Sequence, residues 1–196
     1  MSVKAEGPHL RGAAGLKVDA LAFATRLLHP RHVVVVTCCS REGRANAITL
    51  AWSMPTSFKP PMVAVSVGLE RFSHQLIEEV GEFVVNVPTV KLLKQVYEVG
   101  SRSGRDVDKF KLTGLTLGKA RVVKPPIIEE CIAHLECRMV NSVRTGDHTI
   151  FVGEVLAAYA EEEAFRGQML RPEFAKPLLH YGLNYFTTVA DEVLRP

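Results

Sequence analysis

The chain has 196 residues, 47% of them hydrophobic and 23% charged, and a net charge of +3. These values fit one globular domain with a sizeable core, and a charge so small, carried by scattered basic residues, argues against a nucleic-acid binder. No apolar run approaches the ~20 residues that span a bilayer, and "MSVKAEGPHLRGAAGLKVDA" lacks the apolar block of a secretory signal, so the expectation is a cytoplasmic protein with no membrane partner.

Residues 1–17, rich in Gly, Ala and charge, read as an N-terminal arm, which leaves 18–196 as one domain. Ala20, Phe23, Ala24, Leu27 and Leu28 recur at helical spacing, so an amphipathic helix with Asp19 as N-cap is expected, ended by Pro30. "HVVVVTCC" is a β-branched run of the kind found in buried strands, and "SREGRA" is the turn after it. "NAITLAWSMPTSFKPP" reads as the next strand and its exit loop, and "PMVAVSVG" as a third strand. "FSHQLIEEVG" is a short helix with Ser73 as N-cap and Gly81 just past its end. "EFVVNV" is another strand, and Thr89 caps a helix running to Gly100. "GSRSGRDVDKF" breaks the pattern with small and basic residues, and short strands follow near "GLTLGKARVVK" and "CIAHLECRMVNSV". The turn "RTGDH" leads into the long strand "TIFVGEVLAAYA", and "KPLLHYGLNYFTTV" is a last strand-rich segment. Many short strands, three helices and no regular βαβ alternation point to a mainly β fold with helices (α+β), a Greek-key barrel with helices packed around it.

Neither G-x-G-x-x-G nor a P-loop is present, so the common phosphate cradles are missing. The cysteines Cys38, Cys39, Cys131 and Cys137 show no C-x-x-C spacing and lie in apolar runs, where they act as small hydrophobes; no metal site is expected. Three polar groupings stand out. One is the Asn46–Ser57 stretch with its hydroxyls and the single Trp. A second, Arg71, Ser73 and His74 at a helix start, suits either an anion or merely a capped surface helix. The third, "SRSGRDVDK", is either an anion-binding loop or a mobile basic one. His148 begins a strand after a turn, and reads as a turn histidine or as a group that stabilises negative charge. His134 and Glu136 alternate with apolar neighbours and are expected to share one exposed strand face, and no spacing supports a hydrolytic triad or paired carboxylates.

In order along the chain, "NAITLAWSMPTSFKPPMVAVSV", "RFSHQLIEEVGEFVVNV", "SGRDVDKF", "GDHTIFVGEV" and "KPLLHYGLNYF" resemble the flavin reductase-like, FMN-binding split-barrel family, particularly its flavoredoxin-like branch. The resemblance implies a homodimer built on a six-stranded Greek-key split barrel, with FMN near the subunit interface. It assigns the isoalloxazine edge to Asn46, Ala47, Ile48, Thr49, Trp52, Ser53 and Met54, and the ribityl–phosphate end to Thr56 and Ser57. Ser73 and His74 match the phosphate-side helix start. Ser101, Arg102, Ser103 and Lys109 match a loop closing over the phosphate, so removing Lys109 should weaken FMN binding with the fold intact. His148 matches a ring-side histidine, the candidate catalytic group. Where two-component reductases carry a serine-rich "SSF…SLDPP"-like run, this chain reads "ITLAWSMPTSFKPP", which favours retained FMN over freely exchanging flavin. The implied activity is electron transfer from NADH or NADPH through FMN to free flavin, ferric complexes or an acceptor protein. The alternative is a non-catalytic FMN-binding electron carrier serving a partner protein.

Overall fold

The computed structural model describes residues 17–194, so the arm expected over 1–17 lies almost wholly outside the described residues. The main sheet is built from β1 (Val34–Cys39), β2 (Ala45–Leu50), β3 (Ser53–Phe58), β4 (Pro61–Gly68), β5 (Glu82–Val87), β6 (Ala133–Thr145) and β7 (His148–Ala160). Its strand order is β2-β1-β5-β6-β7-β4-β3, and every pairing is antiparallel. Seven strands stand where the family pattern implied six. The extra strand is β3: Ser53–Phe58, expected as an exit loop, folds back on β4 as a hairpin. Hydroxyl-rich sequence is tolerated there because β3 is an edge strand with most of its residues exposed. The two edges, β2 and β3, are consecutive in the chain but not paired with each other, so the ladder stays open.

Burial explains why β1 reads as an unbroken apolar run. All six of its residues are buried, with β2 on one side and β5 on the other. Val34, Val36 and Cys38 face a core that includes Leu76 and Ile77 of helix α1 (Phe72–Val80). Val33 and Val35 face a second core with Val96 and Val99 of helix α2 (Leu93–Ser101). A strand covered on both faces needs no polar alternation. Both helices matter for the site, because each delivers one end to the same edge of the sheet.

The helix ends differ in part from expectation. Gly81 does close α1 in the left-handed conformation, at φ 71°. Its N-cap is Arg71, not Ser73, because the chain has already turned at Gly68 and Ser73 lies inside the helix. Thr89 accepts from the Lys91 amide and starts a 3-10 turn that runs into α2. A short helix α3 (Lys109–Thr113), capped by Asp108, follows the small-residue loop. The amphipathic segment near the N-terminus is a 3-10 stretch, Leu21–Leu28, with no buried residue; Asp19 accepts from the Leu21 amide. The tail forms a second sheet in which Arg31–His32 pairs with β8 (Leu179–Gly182), which pairs with β9 (Tyr185–Thr187).

His134 and Glu136 do share a face of β6, but that face is buried rather than exposed. Glu136 accepts from the amides of Arg121, Val122 and Val123 and from the Tyr159 hydroxyl. Burial alone would raise its pKa, but those four donors outweigh it and hold the carboxyl below its usual range. Asn86 donates to the Val35 carbonyl and accepts from the Ile128 amide and His134 Nδ1. These polar groups are spent within the fold.

Candidate functional site

A cleft of about 340 Å³ opens where β2, the ends of β4 and β7, the start of α1 and the loop Arg102–Arg105 converge. One end is lined by Asn46, Arg71, Phe72, Ser73, Arg102, Ser103, Gly104, Arg105 and Lys109; the other by Arg31, Trp52, Ser66, His148 and His180. Ile48 and Thr49 lie between them. Chain direction makes this possible: β2 ends at Leu50, and Ala51–Trp52 carry the backbone across the open gap in the sheet to β3.

The first end is built to receive negative charge. Helix α1 offers free backbone N–H groups at its start, and Arg71, Arg102, Arg105 and Lys109 line the same end with one carboxylate, Glu70. Asn46 Nδ2 donates to Ser73 Oγ at 2.8 Å, fixing both side chains at the cleft wall. The loop packs tightly here: a Cβ on Gly104 would stand 2.0 Å from Asn46 Oδ1. Arg44 ties the same loop down by donating to the Gly104 carbonyl at 2.7 Å. Phe72 lies under two guanidinium groups, Arg105 at 5.0 Å and Arg44 at 5.7 Å from its ring centroid.

Lys109 has a different position from the one expected. It is buried in α3, and Nζ donates to the Ala47 and Val99 carbonyls, each at 2.8 Å. It is therefore a tether between β2 and α2 as well as a wall of the cleft. Desolvation lowers its pKa to about 8, with the Cys38 thiol opposing and Arg71 adding to the shift. An ammonium has three donors, so one N–H is left for a ligand when the group is charged.

The second end is aromatic. The rings of Trp52 and His148 lie 4.7 Å apart, tilted by 32°. Asp147 Oδ1 accepts from His148 Nδ1 at 2.7 Å, which fixes the imidazole. Arg31 lies on Trp52, 5.4 Å from its centroid. Arg31 Nε and His32 Nε2 are buried polar atoms with no hydrogen-bond partner among the described residues.

Nine of the expected residues thus meet in one cleft: Asn46, Ile48, Thr49, Trp52, Ser73, Arg102, Ser103, Lys109 and His148. The others fall elsewhere. The Ala47 side chain is in the core, and only its carbonyl reaches Lys109. Ser53 and Met54 line a neighbouring hollow with His32 and Ile150. Thr56 and Ser57 lie along β3, away from the cleft, because the hairpin carries them outward. His74 faces the sheet, with Nε2 2.8 Å from Thr149 Oγ1 and its ring against Phe151. Ser101, at the end of α2, lines a small hollow with Tyr97, Asn184 and Phe186. Sequence reading did not assign Arg31, Phe72, Arg105 or His180 to the site. Arg105 was legible as one of the cations of "SRSGRDVDK"; Arg31 and His180 come together only through the tail sheet.

The cleft fits a mononucleotide-like flavin on the chain's own features. It has a polar end rich in donors, a glycine that keeps the loop against Asn46, and an aromatic end beside a guanidinium held on Trp52. The four cysteines are buried free thiols, and burial pushes Cys38, Cys131 and Cys137 up to about 12, which leaves them unreactive.

Residues 26–188 match the family model described as flavin reductase like domain. An uncharacterized protein of Archaeoglobus fulgidus is 44% identical over 172 residues, covering 86% of this chain and 94% of its own. An NADH-dependent FAD reductase of Streptomyces globisporus is 34% identical over 133 residues, covering 66% of this chain and 69% of its own. Among solved structures, flavoredoxin from Methanosarcina acetivorans superposes with a TM-score of 0.81 at 30% identity, covering 93% of this chain and 95% of that one.

Proposed function

The chain belongs to the flavin reductase like family, and on that premise we propose that it holds FMN in the cleft and passes electrons from NADH or NADPH to a flavin, ferric or protein acceptor. The observation that carries this reading is the polarity of the cleft, with cations, a hydroxyl and a helix start at one end and Trp52, His148 and Arg31 at the other. A phosphate ester suits the first end and a flat ring the second.

In this reading Ser73, Arg71 and the Arg102–Arg105 loop bind the phosphate, and the charged form of Lys109 adds its third N–H. Asn46, Ile48 and Thr49 run beneath the ribityl chain toward the ring. Trp52 and His148 hold the ring, and His148, oriented by Asp147, supports negative charge there. FMN, when bound, supplies the hydride acceptor, and the protein needs no side chain to move a proton in that step. Its contribution is to position two rings and exclude water.

Two further parts of the reading concern assembly. A homodimer is supported by exposed apolar side chains on the N-terminal 3-10 segment, Leu21, Leu27 and Leu28, which nothing else in the described residues covers. The open seven-stranded sheet is the split barrel of this single 18–196 domain, and a cytoplasmic setting belongs with it; among the described residues no helix is long and apolar enough to cross a membrane.

The similarity to a flavoredoxin favours a second reading, an FMN-binding electron carrier with no nicotinamide site. Anaerobic titration separates the two. The enzyme, reconstituted with FMN, bleaches rapidly with NADH or NADPH; the carrier bleaches slowly with both and rapidly with a reduced partner protein. Protein that takes up no FMN from solution would sink both readings.

A further inference from the structure

The arginines at the polar end of the cleft all have partners. Arg71 pairs with Glu70 at 2.9 Å, Arg102 with Glu98 at 3.5 Å, and Arg105 donates to the Glu70 carbonyl at 3.0 Å. Arg31, at the aromatic end, has none of this kind. Its Nη2 donates to His29 Nε2 at 2.8 Å, and His29 Nδ1 spends its own proton on the Arg26 carbonyl at 2.9 Å. No carboxylate pairs with Arg31 among the described residues, and its Nε is buried without a partner. A buried donor left unmade costs stability, and more so on a charged group.

The side chain is also held in place. Its backbone pairs with His180 in the tail sheet, its plane lies on Trp52, and His29 fixes one end of the fork. A guanidinium stays charged in a protein, so this is a fixed positive group at the cleft wall that no carboxylate among the described residues offsets. Preorganised charge of this kind acts on whatever charge develops beside it.

We propose that Arg31 sets the reduction potential of the bound flavin, its guanidinium meeting the ring edge that becomes negative on reduction and holding the reduced form more tightly than the oxidised one. This rests on the reading of the cleft as a flavin site. The direction follows from Coulomb's law: a cation beside a developing anion favours reduction, so its loss lowers the potential.

The test uses the full chain loaded with FMN, comparing the wild type with Arg31→Gln and Arg31→Lys. Two quantities are read: the dissociation constant of oxidised FMN, and the two-electron midpoint potential. In Arg31→Gln the preference for reduced over oxidised FMN should fall at least tenfold, a drop of about 30 mV, while affinity for oxidised FMN changes only a few-fold. Arg31→Lys, which keeps the charge, should recover most of the potential. Equal potentials in all three proteins, with FMN bound in each, would overturn the proposal and leave the flavin site standing. A wild type that binds no FMN overturns both together. If the Gln variant does not fold, FMN labelled with carbon-13 at ring C2 decides in the wild type. A resonance shifted from that of free FMN supports a donor at that edge, and an unshifted one overturns it.

Discussion

Two polar regions of this molecule look alike in sequence and differ in what they have left to offer. The Asn86–His134–Glu136 cluster and the cleft both bring together histidine, charged and amide side chains from separate elements. In the first, Glu136 takes four donors and Asn86 bonds the backbone of both β1 and the loop before β6, so the donors and acceptors are matched internally. In the cleft, no carboxylate among the described residues offsets Arg31, and the ammonium of Lys109 has one donor beyond the two it spends. A matched network stabilises a fold; a surplus of one sign of hydrogen bonding indicates a ligand.

The largest effect should come from breaking the matched region. Glu136→Ala strands three amides and the Tyr159 hydroxyl, and should cost about 3–5 kcal/mol in denaturant unfolding, while refolded protein keeps its FMN affinity. The same carboxylate gives an acid signature. Its folded pKa lies below the unfolded value of 4.5, so its contribution is complete above that pH and is lost as pH falls through the folded pKa. Glu136→Gln should flatten the acid limb of stability against pH. An acid limb identical to the wild type's would mean that the carboxylate is not what holds residues 121–123.

Lys109 belongs to both regions, and so should show both effects. Lys109→Met removes two bonds to buried carbonyls and should cost about 2 kcal/mol of stability, contrary to the expectation of an intact fold on its removal. It should also weaken FMN binding. Between pH about 8 and 10.5 the folded chain sheds a proton that the unfolded chain keeps, so wild-type stability should rise with pH across that window. FMN affinity should fall over the same window, as the third N–H disappears, and the Met variant should lose both slopes. Titrations that run parallel in wild type and variant would place the phosphate away from Lys109.

Gly104→Ala acts on the cleft alone. Its Cβ would press on Asn46 Oδ1, and Asn46 cannot retreat without breaking its bond to Ser73. FMN affinity should fall about tenfold, or 1.4 kcal/mol, and melting should drop modestly, since the Asn46–Ser73 bond or the loop's seat against it is given up. The smallest effect is expected from His148→Gln, which should change the reduction rate by a few-fold and leave affinity nearly unchanged. A loss of affinity larger than that of Gly104→Ala would make His148 a principal binding contact rather than a group that acts mainly on the reduction step.

Much of this could be read along the chain. β1, β4, β5 and α1 follow from runs whose period is set by local burial. Gly81 and Thr89 mark their helix ends because the groups they satisfy lie within a few residues. Asn46, Ser73 and His148 stood out as polar residues beside apolar runs. The sequence alone did not reveal how those signals combine. "SMPTSF" folds as an edge strand rather than a loop because β4 is there to pair with it, a partner known only from the hairpin. His134 and Glu136 have the spacing of an exposed face, and become buried because residues 121–123 return over them.

Local order, and the residue types able to carry the chemistry, were therefore determined by the sequence itself, since propensity and periodicity act over a few positions. Which polar groups are spent and which remain free was decided only in three dimensions. Arg31 illustrates the reason: Trp52 and His180 are distant in sequence, and hydrogen-bond satisfaction depends on distances that tertiary packing alone sets.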